Sequence, residues 1–88
     1  MYQLKFAARA LADLEGLDAQ VYERVVRKLR FFATQENPLR FSSRLTNPKE
    51  GTYRFRVGDY RAVFDLDHNG AITILMILRV KHRREVYD

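Results

Sequence analysis

The segment Tyr53–Leu66 (YRFRVGDYRAVFDL) most constrains the fold, because apolar and charged residues alternate on both sides of a Gly-Asp turn signal. Successive side chains of a strand point to opposite faces of a sheet. We therefore predict a hairpin in which Arg54 and Arg56 share one face and Arg61 joins them from the second strand. Guanidinium groups gathered on one face repel each other unless an anion lies there. A nucleic-acid phosphate and an acidic protein are the two candidate ligands.

The size and charge of the chain limit its class. With 88 residues it should form a single domain, residues 1–88, around one modest core. It has no cysteine, which excludes disulfides and thiolate metal sites and fits a reducing cytoplasm. No apolar run approaches the ~20 residues that cross a bilayer, and the N-terminus lacks the apolar core of a signal peptide. We expect a cytoplasmic protein without a membrane partner, and the net charge of +5 favours nucleic acid or an acidic partner.

One strand and two helices are predicted before the hairpin. Residues 2–6 (YQLKF) alternate as a short strand does, and two stretches of helical periodicity follow, separated at Gly16 and Asp18. We interpret Gly16 as a helix stop and Asp18 as the N-cap of the second helix, which would run to about Ala33. Two helices with so short a connection should form a helical hairpin. The expected apolar stripes are Phe6, Ala10, Leu11, Leu14 and Leu17 for the first helix, and Val21, Val25, Leu29 and Phe32, widened by Tyr22 and Val26, for the second.

The rest of the chain predicts a loop and a final strand. Residues 34–51 hold both prolines and most turn formers, so we interpret them as a loop with a helical turn around Leu39–Leu45. Residues 67–70 (DHNG) predict a second tight turn, and Ala71–Val80 predicts the central, most buried strand. The order is β-α-α-β-β-β. We therefore predict an α+β fold, a small, mainly antiparallel sheet with the N-terminal helical hairpin packed on one face and the other face open.

The basic residues of the hairpin and tail are the one group with distinctive chemistry. The two histidines have no companions at ligand spacing, and no phosphate-binding loop or nucleophile elbow is present, so we expect no metal and no cofactor. RNA cleavage without a metal needs a base for the 2′-OH, cations for the phosphate and an acid for the leaving oxygen. The candidate residues are Arg54, Arg56, Arg61, Arg79, Lys81, His82, Arg83 and Tyr87. Arginine stays protonated, so His82, Lys81 or Tyr87 would transfer protons, while Tyr53 or Tyr87 could stack on a base.

Structural roles for the same residues stay open. Arg54 and Arg56 could pair with Asp59 or Asp65 on the hairpin, and Arg79 could form an ion pair after a buried strand. Tyr87 could pack at the edge of the core, and the basic face of the second helix, with Arg24, Arg27, Lys28 and Arg30, could be merely solvated or could contact RNA.

The combined pattern Y-R-x-R-x-G-x-Y-R, then an apolar strand, then R-V-x-H-R-R-x-V-Y, resembles the RelE/ParE superfamily of bacterial type II toxins over nearly the whole chain. The resemblance implies a compact antiparallel sheet with two N-terminal helices. It also implies a cognate antitoxin, encoded next to the toxin, that covers the basic face. RelE-like members are ribosome-dependent endoribonucleases that cut mRNA by 2′-OH attack, whereas ParE-like members inhibit DNA gyrase and lack the nuclease residues.

The resemblance also implies roles for individual residues. Lysines of RelE stand where this chain has Arg54 and Arg56, an arginine stands at Lys81, and the residues matched by Arg61 and Tyr87 are retained. The lysine matched by Arg56 is a proposed general base, so either the base has moved, for example to His82, or activity is reduced or lost. We therefore expect an mRNA endoribonuclease that acts on the ribosome, with gyrase inhibition as the alternative. The expected catalytic residues are Arg61, His82, Lys81, Tyr87 and Arg56, and the expected phosphate-binding residues are Arg54, Arg56, Arg79 and Arg83.

Overall fold

The computed structural model describes residues 2–46 and 51–86, which form two helices and five strands. The elements are β1 (Tyr2–Phe6), α1 (Ala8–Glu15), α2 (Ala19–Thr34), β2 (Ser42–Arg44), β3 (Tyr53–Val57), β4 (Tyr60–Asn69) and β5 (Ile72–His82). Short 3₁₀ turns occupy Pro38–Phe41 and Arg83–Glu85. No helix in these described ranges is long and apolar enough to cross a membrane.

The strands form one sheet in the order β1-β5-β4-β3-β2. The first strand runs parallel to β5, and every other neighbouring pair is antiparallel. The predicted α+β class with a mainly antiparallel sheet is therefore confirmed. The middle position belongs to β4 rather than to the apolar strand predicted over Ala71–Val80, because β1 returns to pair with β5 on its far side.

Two local predictions were wrong. The segment predicted as a loop contains β2, a three-residue strand that pairs with β3, and its 3₁₀ turn begins at Pro38, before the expected helical turn. A strand of Ser-Ser-Arg is too short and too polar to show alternation, so only its pairing defines it. The second turn lies later than predicted, because Asp67, His68 and Asn69 are part of β4 and Gly70, with φ +63°, begins the connection to β5.

The two helices cover the same face of the sheet, as predicted. The side chain of Asp18 accepts a hydrogen bond of 2.9 Å from the Gln20 N–H and so caps α2, while Gly16 ends α1. α1 packs on β5, and α2 packs on β1 and β3. Leu11 (46% exposed) and Tyr22 (43%) lie outside the core, contrary to the predicted stripes.

Aromatic rings run through the centre of the core, between the helices and the sheet. Phe32 of α2 stacks on Phe55 with ring centroids 4.5 Å apart, and Phe55 stacks on Phe64 at 4.2 Å. Burying one such ring stabilises the fold by about 1.5–3 kcal/mol. The remaining core residues are Ala10, Leu14, Val25, Leu29, Val57, Ala62, Leu75, Ile77 and Val80.

The outer face, on the side of the sheet away from the helices, is only partly open. Gly51 lies against this face, so close that a Cβ there would be 2.6 Å from Cγ1 of Val63 and 3.2 Å from Cδ1 of Leu78. The Thr52 N–H donates a 2.7 Å hydrogen bond to Oδ1 of Asp65. The segment that leads into β3 therefore covers the middle of β4 and β5. The part of the face nearest the β3–β4 turn carries the arginines.

Candidate functional site

Three cations stand side by side across the outer face. In the strand register Arg56 of β3 is opposite Arg61 of β4, and Arg61 is opposite Lys81 of β5. Directly paired residues share a face, with Cβ atoms about 5 Å apart. Arg54, two residues before Arg56, lies on the same face. The structure therefore brings together Arg54, Arg56, Arg61 and Lys81, and we call Arg56, Arg61 and Lys81 the basic row.

The members of the basic row differ in exposure. Arg61 is only 5% exposed, and its Nη1 donates hydrogen bonds of 2.9 Å to the carbonyl oxygens of Gly58 and Tyr60. These carbonyls belong to the β3–β4 turn and to the first residue of β4, and Gly58 has a φ of +59° that favours glycine. Arg61 therefore stabilises the turn and adds a permanent, nearly buried positive charge to the basic row. Arg56 is exposed, and no hydrogen bond or ion pair links it to another residue in the described ranges.

Arg79, predicted to bind phosphate, forms an ion pair in the structure. Its Nε and Nη2 donate to the two carboxylate oxygens of Asp13 on α1, at 2.8 and 3.0 Å. Both side chains are less than one-fifth exposed. The same carboxylate accepts a 2.9 Å hydrogen bond from the Val80 N–H. The structural alternative stated for Arg79 is thus the arrangement that the structure shows.

Asp13 was not among the site residues predicted from the sequence. Burial alone would raise the pKa of its carboxyl group, but hydrogen bonds from Arg79 and Val80, and the charges of Arg79 and Lys81, outweigh burial and lower that pKa. A signal was available, because Asp13 falls three residues after Ala10 and four before Leu17, within the apolar stripe of the first helix. A carboxylate in such a stripe indicates a buried partner.

His82 lies on the opposite side of the sheet from the basic row. It follows Lys81 by one residue, so its side chain points to the helix-covered face, where its ring centroid lies 5.5 Å from that of Tyr60 in an edge-on arrangement. Its ring Nδ1 accepts a 3.3 Å hydrogen bond from the backbone N–H of Arg84, and the backbone N–H of His82 donates to Oε1 of Glu85 at 3.3 Å. Because Nδ1 is the acceptor, the neutral ring carries its proton on Nε2. The lone pair of Nδ1 is then used to cap the 3₁₀ turn Arg83–Glu85.

The tail is tied to the hairpin turn. The Arg83 N–H donates to the Asp59 carbonyl oxygen at 2.7 Å, and Nε of Arg83 lies 3.7 Å from Oδ1 of Asp59. Asp59, a predicted partner of Arg54 or Arg56, is therefore paired with Arg83.

Tyr53 stacks on Phe64 with ring centroids 5.5 Å apart, which places the Tyr53 ring on the core side of the sheet. Tyr87 lies outside the described residues.

The described residues include no group of three or more His, Cys, Asp or Glu residues that could hold a metal ion. What the site offers is a set of fixed and exposed cations beside a turn. Such a set can bind an anion and stabilise charge that builds on it.

Comparison with known proteins identifies the family. The family described as the ParE toxin of the type II toxin–antitoxin system parDE matches residues 4–87. Toxin RelG of Mycobacterium tuberculosis (strain ATCC 25618 / H37Rv) is 33% identical over 86 residues, which cover 98% of this chain and 95% of that protein. The crystal structure of the toxin–antitoxin complex RelBE2 from the same species contains a chain that matches with a TM-score of 0.68 and 30% identity, covering 93% of this chain and 98% of that one.

These matches span almost the whole chain and agree with the fold and with the resemblance carried by the hairpin and tail. The chain belongs to the RelE/ParE superfamily and is a toxin of the type II toxin–antitoxin class.

Proposed function

We propose that this toxin is a ribosome-dependent mRNA endoribonuclease that inhibits translation in the cytoplasm. The observation that carries the proposal is the basic row, in which Arg56, Arg61 and Lys81 stand in register on one face. Cleavage by 2′-OH attack places extra negative charge on the scissile phosphate, and cations held in place before the reaction stabilise it. The similarity to toxin RelG and to a chain of the RelBE2 complex supports the toxin class on which the proposal builds.

The role of each cation would depend on its exposure to solvent. Arg56, exposed and unconstrained by other described residues, would contact the phosphate first. Arg61, nearly buried and tied to the turn, would supply charge that needs no reorganisation when the substrate binds. Arg54 and Arg83 would bind neighbouring phosphates. Such contacts position RNA without reading its sequence.

Proton transfer is assigned to Lys81 ahead of His82. Lys81 shares the face of Arg56 and Arg61, whereas His82 points to the other face and uses its lone pair in a cap. A base must come within hydrogen-bond reach of the proton that it removes. Tyr87 would orient or stack on a base, a role that rests on the family resemblance alone.

Gyrase inhibition without nuclease activity is the second candidate. It is favoured by a specific feature, which is that an arginine occupies position 56, where the proposed general base of RelE is a lysine. The family description also names ParE toxins. A gyrase inhibitor would use the basic row for binding only and would need no base.

The deciding experiment is primer extension on mRNA from programmed ribosomes treated with the purified toxin. We expect new 3′ ends with wild type, and few or none with Arg56→Ala. Absence of cleavage by wild-type toxin, or undiminished cleavage by Arg56→Ala, would contradict the proposal. A parallel assay of DNA supercoiling by gyrase tests the alternative, which predicts inhibition by the same preparation that leaves mRNA intact.

We also propose that a cognate antitoxin, encoded beside the toxin, binds this chain. The structural relative was solved as a toxin–antitoxin complex, and the net charge of +5 favours an acidic partner segment. Co-expression of the chain with the product of the adjacent reading frame, followed by size-exclusion chromatography, should give one co-eluting complex. Separate elution of the two proteins would exclude that partner.

A further inference from the structure

β5 contains one extra residue shortly before it reaches the basic row. Phe64 of β4 is opposite Ile77 of β5. The preceding residue of β4, Val63, is opposite Arg79, so Leu78 has no partner in the ladder. Such an insertion is a β-bulge, which bends the strand and changes the direction of the side chains that follow it. Bulges occur often beside active sites, because they can turn a side chain toward the site.

The bulge determines which residue at the end of β5 joins the basic row. Ile77 and Val80 both belong to the core, although alternate residues of a regular strand share a face and these two are three positions apart. Without the extra residue, Lys81 would share the face of Ile77 and point to the helices, and His82 would point outward. With it, Lys81 is opposite Arg61 on the outer face. The bulge therefore places Lys81, rather than His82, in the basic row.

Asp13 of α1 contacts the two residues that directly follow the extra one. Its carboxylate binds the guanidinium of Arg79 through two hydrogen bonds and accepts the Val80 N–H at 2.9 Å. The pairing of β1 with β5 has already ended at Ile77, and beyond that residue none of the described strands lies along this edge. Asp13 therefore supplies the hydrogen-bond acceptor that a neighbouring strand would otherwise supply, at the point where β5 is bulged.

Lys81 lies between this contact and a second one. After Lys81, the backbone N–H of Arg83 donates to the Asp59 carbonyl oxygen at 2.7 Å, which joins the tail to the β3–β4 turn. The charge of Lys81 is close enough to Asp13 to help lower the pKa of that carboxyl group. The short segment that carries Lys81 is thus fixed to other elements at both ends.

We propose that Asp13 is a positioning residue that holds the bulge of β5 and so keeps Lys81 in the basic row beside Arg61. Asp13 is 17% exposed and its carboxylate oxygens are used by Arg79 and Val80, so it acts through the strand and not on RNA. The consequence for cleavage rests on the proposed endoribonuclease function and adds to it a residue outside the basic row. A reacting group displaced by about 1 Å can cost about 100-fold in rate.

Burial of Val80 supports the same register of β5. Its side chain is only 4% exposed, and a slip by one residue would move it to the outer face. Removing the Asp13 carboxylate should therefore leave β4 and β5 paired but release the edge of the bulge. The expected result is a Lys81 that moves relative to Arg61 in a folded protein. A loss of cleavage should then exceed what a loss of stability alone produces.

The test compares Asp13→Ala with two controls in the full-length toxin. Glu23→Gln makes the same change of net charge at an exposed position, and Val25→Ala creates a space in the core away from β5. All proteins are assayed at a temperature at which thermal unfolding shows them folded. Single-turnover cleavage of mRNA on programmed ribosomes gives the maximal rate and the toxin concentration at half of that rate. Amide hydrogen exchange and ¹⁵N relaxation of the free proteins report the motion of the bulge.

We expect Asp13→Ala to lower the maximal rate about tenfold or more, because Lys81 is no longer held in place. The half-saturating concentration should stay within about twofold, because no cation of the basic row is lost. The Val80 amide should exchange about tenfold faster than in wild type, and both controls should keep the wild-type rate. A wild-type rate in Asp13→Ala, an equal loss of rate in Val25→Ala, or an unchanged Val80 amide would overturn the proposal.

Asp13→Asn is the milder variant, because its side-chain oxygen can still accept the Val80 N–H while the charge that binds Arg79 is lost. We expect its maximal rate to fall about threefold or more, with the half-saturating concentration again within about twofold. If Asp13→Ala does not fold, Asp13→Asn decides, and a wild-type rate in that variant would overturn the proposal.

The exchange and relaxation measurements do not depend on cleavage. If wild-type toxin fails to cut mRNA but the amides of Val80 and Lys81 become mobile in Asp13→Ala and not in Val25→Ala, the proposed activity falls and the positioning role stands. If mRNA is cut, and Asp13→Ala cuts it at the wild-type rate, the activity stands and the positioning role falls.

Discussion

Asp13 of α1 holds Arg79 of β5 through two hydrogen bonds, Nε to Oδ2 at 2.8 Å and Nη2 to Oδ1 at 3.0 Å. β1 pairs with β5 only as far as Ile77, so beyond that residue none of the described strands lies along this edge of β5. The Asp13 carboxylate accepts the Val80 N–H at this edge. One acid therefore takes the place of a strand neighbour at Val80 and also binds the Arg79 guanidinium.

We expect Asp13→Ala to destabilise the fold by about 2–4 kcal/mol, because it leaves a largely buried guanidinium and a backbone donor without their acceptor. Urea denaturation at pH 7 measures the loss. The matched control Glu23→Gln breaks an exposed ion pair and should cost no more than about 0.5 kcal/mol. Equal stability of the two variants would show that the contact at the β5 edge contributes nothing.

The same contact predicts a dependence on pH. The pKa of Asp13 is lowered in the folded protein, so the stability that it contributes is complete above the unfolded value of about 3.9 and is lost as pH falls through the folded pKa. The difference in unfolding free energy between wild type and Asp13→Asn should therefore be constant near neutral pH and shrink only below about pH 4. A difference that disappears between pH 7 and pH 5 would be inconsistent with this assignment.

Gly51→Ala should destabilise the protein by about 1–3 kcal/mol, because the new Cβ would lie 2.6 Å from Cγ1 of Val63, a short branched side chain in a strand. Adding Val63→Ala should recover part of the loss by removing the clashing methyl group. Gly16→Ala is the control, since its nearest contact would be an ordinary 3.5 Å. Thermal unfolding of the four proteins provides the comparison, and a harmless Gly51→Ala would mean that this segment does not pack on the outer face.

Arg61→Ala and Arg56→Ala should separate folding from RNA binding. Arg61 is buried against the carbonyl oxygens of Gly58 and Tyr60, so its removal should cost about 1–3 kcal/mol of stability. Arg56 is exposed, so Arg56→Ala should leave stability within about 0.5 kcal/mol and lower the affinity for RNA. Calorimetry and anisotropy with a short RNA measure the two effects. A destabilised Arg56→Ala would show that Arg56 contributes to folding.

His82→Asn and Lys81→Met test which tail residue transfers protons. Asparagine can accept the Arg84 N–H as the His82 Nδ1 does, so the cap should survive in His82→Asn. We expect His82→Asn to retain cleavage of mRNA on programmed ribosomes and Lys81→Met to lose it, because only Lys81 shares the face of Arg56 and Arg61. Loss of cleavage in a stably folded His82→Asn would return the role to His82.

The sequence by itself determined much of this fold. Alternation in Tyr53–Leu66 and helical periodicity before it predicted the hairpin, the helices and their common face, because these signals depend only on spacing along the chain. The same alternation placed Arg54, Arg56 and Arg61 on one face. The motif of the hairpin and tail identified the superfamily.

Tertiary structure decided what depends on contacts between distant residues. Three features depend on contacts between separate segments of the chain, so the periodicity of apolar residues within one segment could not predict them. They are the parallel pairing of β1 with β5, the pairing of the short strand β2 with β3, and the packing of Gly51 against Val63. The contacts of each basic residue also depend on tertiary structure. The arginines and Lys81 carry the same charge in the sequence, but Arg79 contacts Asp13 and Arg61 folds onto its own turn. His82 falls one residue out of phase with Lys81 and so lies on the other face. Charge is a property of the residue, whereas the partner of a charge is a property of the packed chain.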